Sequence, residues 1–237
     1  MKQFINVDLM APNVLRVSVD LGTNSSLLQI CSGKLDSRNF AQVSPDWDSD
    51  IRWVSARSPE AFSAFQSEFD RLGIAAHVEP YLDLDKAVRL FSGFLVERSF
   101  CRGPNFHLDW INTNNEAFTF LTPLTGNSDG FGLLYKRIDG TTGEYAYKIG
   151  EALIIGDGFV HSTKPGRSTE PVVLLSFTFG TDKMEHWKKI ARTAANQGEL
   201  TRRPDGAFQR ISSGSHFRKL LGRVARAAVR SFQPHHP

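Results

Sequence analysis

Ala117-Phe118-Thr119-Phe120-Leu121-Thr122-Pro123-Leu124-Thr125 is the stretch whose reading decides the fold. It is a short apolar run rich in aromatic and β-branched residues, and such runs read as strands. It opens a series. Gly130-Phe131-Gly132-Leu133-Leu134-Tyr135, Gly150-Glu151-Ala152-Leu153-Ile154-Ile155 and Val172-Val173-Leu174-Leu175-Ser176-Phe177-Thr178-Phe179 follow, separated by Gly, Pro, Asn and Asp. A succession of this kind signals an antiparallel sandwich or barrel. The expected fold class is therefore mainly β with flanking helices (α+β).

Working outward, the stretch is preceded by His107-Leu108-Asp109 and followed by Gly158-Phe159-Val160-His161-Ser162. In a strand, alternate residues point to the same side, so His107 and Asp109 can reach one ion while Leu108 turns away. Tyr145 to Ile155 reads as a loop and an apolar strand, turned by Gly156-Asp157-Gly158, which sets His161 on the next strand beside the first pair. Two imidazoles and one carboxylate form the face that leaves iron(II) with open positions. Two other readings stay open. Zinc also takes such ligands, although the His-Glu-x-x-His helix of many zinc hydrolases is absent. The three residues can also be structural, with His107 hydrogen-bonded under a loop and Asp109 capping the chain.

On these runs and this ligand spacing the chain resembles the iron(II)/2-oxoglutarate-dependent dioxygenases, in or near the phytanoyl-CoA dioxygenase branch, over roughly residues 98 to 180. The resemblance implies a double-stranded β-helix (jelly-roll) core, with His107, Asp109 and His161 as iron ligands and 2-oxoglutarate as co-substrate. It implies an enzyme that oxidises a C–H bond of a small-molecule substrate with oxygen while the co-substrate is decarboxylated to succinate. One departure stands out. The family carries a basic residue for the far carboxylate of 2-oxoglutarate at the start of the last core strand, where this chain has Pro171 and Val172. Arg167 is the expected substitute, its planar fork suiting a carboxylate. Lys136, on another wall, is the runner-up, with Lys164 and Arg137 nearby. The departure also keeps open a second class, a non-catalytic jelly-roll or cupin-like protein that binds metal or ligand without turnover.

Arg102 and Asn105, in the segment leading to His107, are expected at the cavity mouth as substrate contacts. The remaining histidines read as packing or surface residues, His77 in a strand and His186 in a helix. Ser58-Pro59-Glu60 is a helix start, with Phe62, Phe65, Phe69 and Leu72 on one face and Gly73 as the stop. A second helix is expected from Asp83 or Asp85 to Glu97, with Leu84, Val88, Phe91 and Leu95 on one face. Val14 to Asp20 reads as a strand pairing with Ser25 to Cys31 across Leu21-Gly22-Thr23-Asn24.

The chain of 237 residues is 41% hydrophobic with 18 Phe, enough for a sizeable core. Residues 1–211 are expected to form one domain. Its 28 basic and 25 acidic residues give +3, which makes no case for nucleic acid. Cys31 and Cys101 make no disulfide framework. No signal-peptide core or membrane span is apparent, so a cytoplasmic location is expected. Ser212 to Ser215 reads as a flexible link. His216 to Phe232 reads as a basic amphipathic helix suited to an anionic membrane surface, a protein partner or its own domain.

Overall fold

The structure, a computed structural model, describes residues 3–22, 27, 30, 36–43, 50–125, 130–194 and 198–210. The link and basic helix expected over 212–232 lie outside the described residues, as does most of the strand expected over 25–31.

Successive segments alternate between two antiparallel sheets. Strand β6 (Arg89–Cys101) runs in the larger sheet and leads to His107 in the smaller one. β7 (Ala117–Pro123) returns to the larger sheet, and β8 (Gly132–Lys136) and β9 (Thr142–Ala146) form a hairpin in the smaller. β10 (Glu151–Ile155), β11 (His161–Thr163) and β12 (Gly166–Gly180) then alternate once more. β1 (Ile5–Asn6) and β2 (Ala11–Pro12) pair with each other, and the larger sheet has the order β3-β10-β7-β12-β6-β5-β4, with β3 (Val14–Ser18), β4 (Phe40–Val43) and β5 (Arg52–Ala56) extending it at its two ends. The smaller sheet has the order β11-β8-β9. His107 pairs with His161 as a single bridge and adds a fourth segment beside β11. This is the expected jelly roll. Its sheets recruit strands from well before residue 98.

Interior-facing residues of the two sheets, among them Val172, Leu174, Leu153, Leu133, Tyr135 and Phe159, pack between them. The other face of the larger sheet is covered by helix α1 (Pro59–Arg71). Ser58 caps α1, its hydroxyl accepting from the Ala61 N–H at 3.2 Å, and Gly73 follows the helix at φ +62°. Phe62, Phe65 and Phe69 are buried as the spacing predicts. Phe177 of β12 meets Phe69, Phe65 and Phe120 at 5.6, 6.4 and 5.6 Å between ring centres. At Gly93 on β6 a Cβ would lie 2.5 Å from Phe65 Cβ, so glycine lets the helix settle directly on the sheet.

Three local expectations are corrected. Residues 83 to 97 do not form a helix: the chain turns from Asp83 to Val88 and β6 begins at Arg89. β6 lies between β12 and β5 and is buried on both faces, so it lacks the polar alternation that marks a half-exposed strand. His77 lies in helix α2 (Ile74–Val78), which continues α1 after the Gly73 turn. β3 pairs with β10, and Leu27 and Ile30, the described residues of the segment expected as its hairpin partner, are helical. His186 ends a short 3-10 turn (Met184–His186) that leads into α3 (Trp187–Ala194), as the helical reading had it.

Candidate metal centre

His107 and His161 face each other across the bridge, each N–H donating to the other's carbonyl, at 2.9 and 3.0 Å. The rings lie 4.5 Å apart. Each ring places Nδ1 against the carbonyl two residues back, His107 on Asn105 at 2.8 Å and His161 on Phe159 at 3.0 Å. Donation from Nδ1 fixes the tautomer with Nε2 as the lone-pair atom, which is the orientation a metal-ligating histidine needs. Both Nε2 atoms turn to Asp109, at 3.7 and 3.9 Å from its Oδ1. The three ligand atoms lie within 4.8 Å of one another, close enough to hold one ion. Leu108, between His107 and Asp109, is buried.

The three side chains differ in access. His161 is 7% exposed and Asp109 8%, whereas His107 is 33% exposed, so the open approach lies on the His107 side. Phe159 stacks on the inner face of His161 at 5.5 Å, and Tyr135 stacks on Phe159. Burial pushes the His161 imidazole down to about 4, the neighbouring His107 pushes the same way, and Asp109 and the Phe159 carbonyl pull it back up. His161 is thus neutral and ready to ligate at pH 7.

This shift has a sign that can be measured in the metal-free protein. Unfolded, His161 takes up a proton near its ordinary value of 6.5; folded, it does so only near 4. The unfolded state therefore binds the extra proton between these values, and stability contributed by the neutral folded imidazole is lost as pH falls from about 6.5 to about 4. The loss from this group is on the order of 3 kcal/mol. Urea midpoints of metal-free wild type should fall more steeply between pH 7 and 4.5 than those of His161→Gln, and equal slopes would contradict a buried neutral imidazole.

A buried polar buckle joins the turns next to the two segments that carry Asp109 and His161. Asp157, in the turn before His161, accepts from Thr113 Oγ1 at 2.9 Å and from the Asn115 N–H at 3.3 Å. Asn115 Oδ1 accepts from the Asp157 N–H at 2.9 Å, and its amide donates to Asn13 Oδ1 at 3.0 Å. Asn13 closes the set on the Asp157 carbonyl at 2.5 Å. A Cβ at Gly156 would meet Asn115 Oδ1 at 2.8 Å, so the turn needs glycine there. From the other side, Thr193 of α3 donates to the Asp109 carbonyl at 2.6 Å, and Trp110 donates to Thr119 at 3.0 Å. The sequence signal for these residues is the pair of turn clusters Asn112-Thr113-Asn114-Asn115 and Gly156-Asp157-Gly158, which marks turns but not their meeting.

The remaining expected site residues are placed as follows. Asn105 lies beside His107 on a cavity that Cys101, Ser162, Thr163 and Arg98 also line. Ser162 Oγ accepts from the Asn105 N–H at 2.7 Å and so steadies the segment whose carbonyl holds His107. Arg102 is exposed three residues before Asn105. Arg167 is also exposed, its guanidinium 4.9 Å above the Phe100 ring. Lys136 alternates with the buried Tyr135, which puts it on the outer face of the smaller sheet. There it donates to Thr142 at 2.9 Å and lies 4.9 Å over Phe106. Lys164 pairs with Glu144, and Arg137 bonds Thr141. Neither Arg167 nor Lys136 lines the cavity beside His107. Asp83, Glu185 and His186 also bring three ligand atoms together, but Lys183 donates to Asp83 at 2.5 Å and supplies that cluster's cation.

With this geometry established, similarity to solved structures bears on the fold. The epimerase SnoN from nogalamycin biosynthesis, described as non-heme and alpha-ketoglutarate dependent, superposes with a TM-score of 0.54 at 11% identity, over 72% of this chain and 77% of its own. A 2OG-Fe(II) oxygenase family oxidoreductase from Burkholderia pseudomallei gives 0.52 at 11% identity, over 71% and 84%. HygX from Streptomyces hygroscopicus, with nickel and 2-oxoglutarate bound, gives 0.51 at 13% identity, over 75% and 88%. The chain has the fold of the iron(II)/2-oxoglutarate oxygenases. No protein-family model and no curated relative matches the sequence. Among the described residues no helix is long and apolar enough to cross a membrane.

Proposed function

We propose that this chain is an iron(II)/2-oxoglutarate-dependent oxygenase acting on a small molecule, with His107, Asp109 and His161 as the iron ligands. The observation that carries the reading is the convergence of two Nε2 atoms and one carboxylate at the edge of the cavity, with both Nδ1 atoms committed to carbonyls. This donor set suits iron(II) with open positions, and with 2-oxoglutarate and oxygen bound the metal would supply the oxidation of a C–H bond. The chain's own residues do the rest. The buckle around Asp157 fixes the spacing of the ligands, and Phe159 and Tyr135 keep water from the inner side. Asn105 and Arg102 meet the substrate as it enters on the His107 side.

Residues 1–211 are taken as the catalytic domain. A cytoplasmic setting fits a buried Cys101 thiol that is in no disulfide among the described residues and donates to the Gly103 carbonyl at 3.5 Å. The basic segment from His216 to Phe232 is a candidate contact for an anionic membrane surface or a protein partner.

The test is turnover without the true substrate. The protein with iron(II), oxygen and saturating 2-oxoglutarate should release succinate slowly, and removal of iron should stop it. Succinate no higher than in the metal-free control would favour the alternative class, a jelly roll that binds metal without turnover.

A further inference from the structure

Two of the three metal ligands are fixed by main-chain pairing and the third is not. His107 and His161 share a bridge, and both Nδ1 atoms are committed to carbonyls. Asp109 lies just beyond that bridge, in irregular chain that rejoins a sheet only where β7 begins at Ala117. Its carboxylate faces the two Nε2 atoms at 3.7 and 3.9 Å and, among the described residues, accepts no hydrogen bond. The carboxylate therefore stands where the Asp109 main chain puts it.

That main chain is held from outside the two sheets, by α3. Thr193 Oγ1 donates to the Asp109 carbonyl at 2.6 Å, across 84 residues of sequence. A helical threonine commonly turns its hydroxyl back to a carbonyl one turn earlier on its own helix. Here the hydroxyl goes instead to a carbonyl that no strand partner satisfies. The packing around it acts on the same piece of chain. Ile190 and Ala194 share the helix face of Thr193, and both are fully buried in one cluster with Trp110, Phe91 and Ala117. Trp110 follows Asp109 directly, is fully buried, and donates its indole N–H to Thr119 at 3.0 Å. Trp187, at the start of α3, closes over Phe91 at 5.5 Å between ring centres. α3 thus grips two successive residues, the carbonyl of Asp109 and the ring of Trp110.

We propose that Thr193 is a positioning residue for the metal ligand Asp109, so that α3, outside the double-sheet core, completes the metal centre. The assignment rests on the metal-centre reading above. Loss of the hydroxyl frees the Asp109 carbonyl and lets the carboxylate turn from the two Nε2 atoms, while the bridge keeps His107 and His161 in place. The coupling is reciprocal: if α3 sets Asp109, metal held by Asp109 stabilises α3 by the same factor.

The test titrates manganese(II), an oxygen-stable stand-in for iron(II), into the full chain and follows amide hydrogen exchange at residues 190–194. Thr193→Val keeps the side-chain shape and removes the donor. It should weaken manganese binding about tenfold, the lower end of the range for partners of metal ligands, because the bond reaches the carboxylate through the main chain. Thr193→Ser, which restores the donor, should bind as wild type does. Manganese should slow exchange at residues 190–194 about tenfold in wild type and in Thr193→Ser, and not in Thr193→Val. Ile190→Val loosens the same helix without touching the hydroxyl and should keep wild-type affinity. Equal losses in Ile190→Val and Thr193→Val would mean that Thr193 only secures the helix and would overturn the assignment, as would wild-type affinity in Thr193→Val. The wild-type exchange comparison decides even where Thr193→Val folds poorly: exchange at residues 190–194 unchanged by manganese would also overturn it. Wild type that binds no manganese would sink the metal-centre reading itself, and the assignment with it.

Discussion

His161→Ala is expected to weaken iron(II) binding by at least about two orders of magnitude while leaving the fold in place. Altering groups around metal ligands already costs tenfold to a hundredfold in affinity, and removing a ligand costs more. The fold survives because the bridge between positions 161 and 107 is made by main-chain atoms. The buckle around Asp157 is likewise independent of the imidazole. Metal content after gel filtration in limiting iron, read beside circular dichroism, checks both halves. Full stoichiometry in the variant would remove this site from consideration. His107→Ala should act in the same direction, since its Nε2 is the other ring nitrogen aimed at Asp109.

Phe177→Ala is expected to destabilise the protein by about 3–5 kcal/mol, the range for emptying a large buried aromatic site. Phe177 is fully buried and is the point where α1, through Phe65 and Phe69, meets the larger sheet at Phe120. The ring contacts are lost together, and the backbone of a central strand cannot move in to close the gap. Urea unfolding followed by tryptophan fluorescence should show the lowered midpoint, with Ile138→Ala, at an exposed position, within about 0.5 kcal/mol of wild type. A loss under about 1 kcal/mol at Phe177 would mean that α1 does not brace the sheet.

What could be read from sequence divides along physical lines. The His107, Asp109 and His161 cluster was legible as a group because His107 and Asp109 lie only two residues apart and the turn at Gly156-Asp157-Gly158 marks the start of the segment that carries His161. Helix α1 was legible because its cap, its Phe spacing and its glycine stop all lie within one segment. β6 was not, because a strand buried on both faces has no polar alternation and its apolar residues matched a helical spacing. That error had a consequence for the site. A helix ending at Glu97 leaves Arg98 in a loop, whereas a strand through Cys101 turns it into the cavity opposite Val172. The Asp157 buckle was hidden for a different reason. Asn13, Thr113, Asn115 and Asp157 come from three distant parts of the chain, and only the closed sheets bring them together.

The central claim is that the His107, Asp109 and His161 cluster presents iron(II) to 2-oxoglutarate. Anaerobic titration of the iron(II)-loaded protein with 2-oxoglutarate tests it most directly. A weak visible charge-transfer band should grow to saturation at one equivalent per chain and be absent in His161→Ala. An iron-loaded wild-type protein that develops no band at saturating 2-oxoglutarate would contradict it.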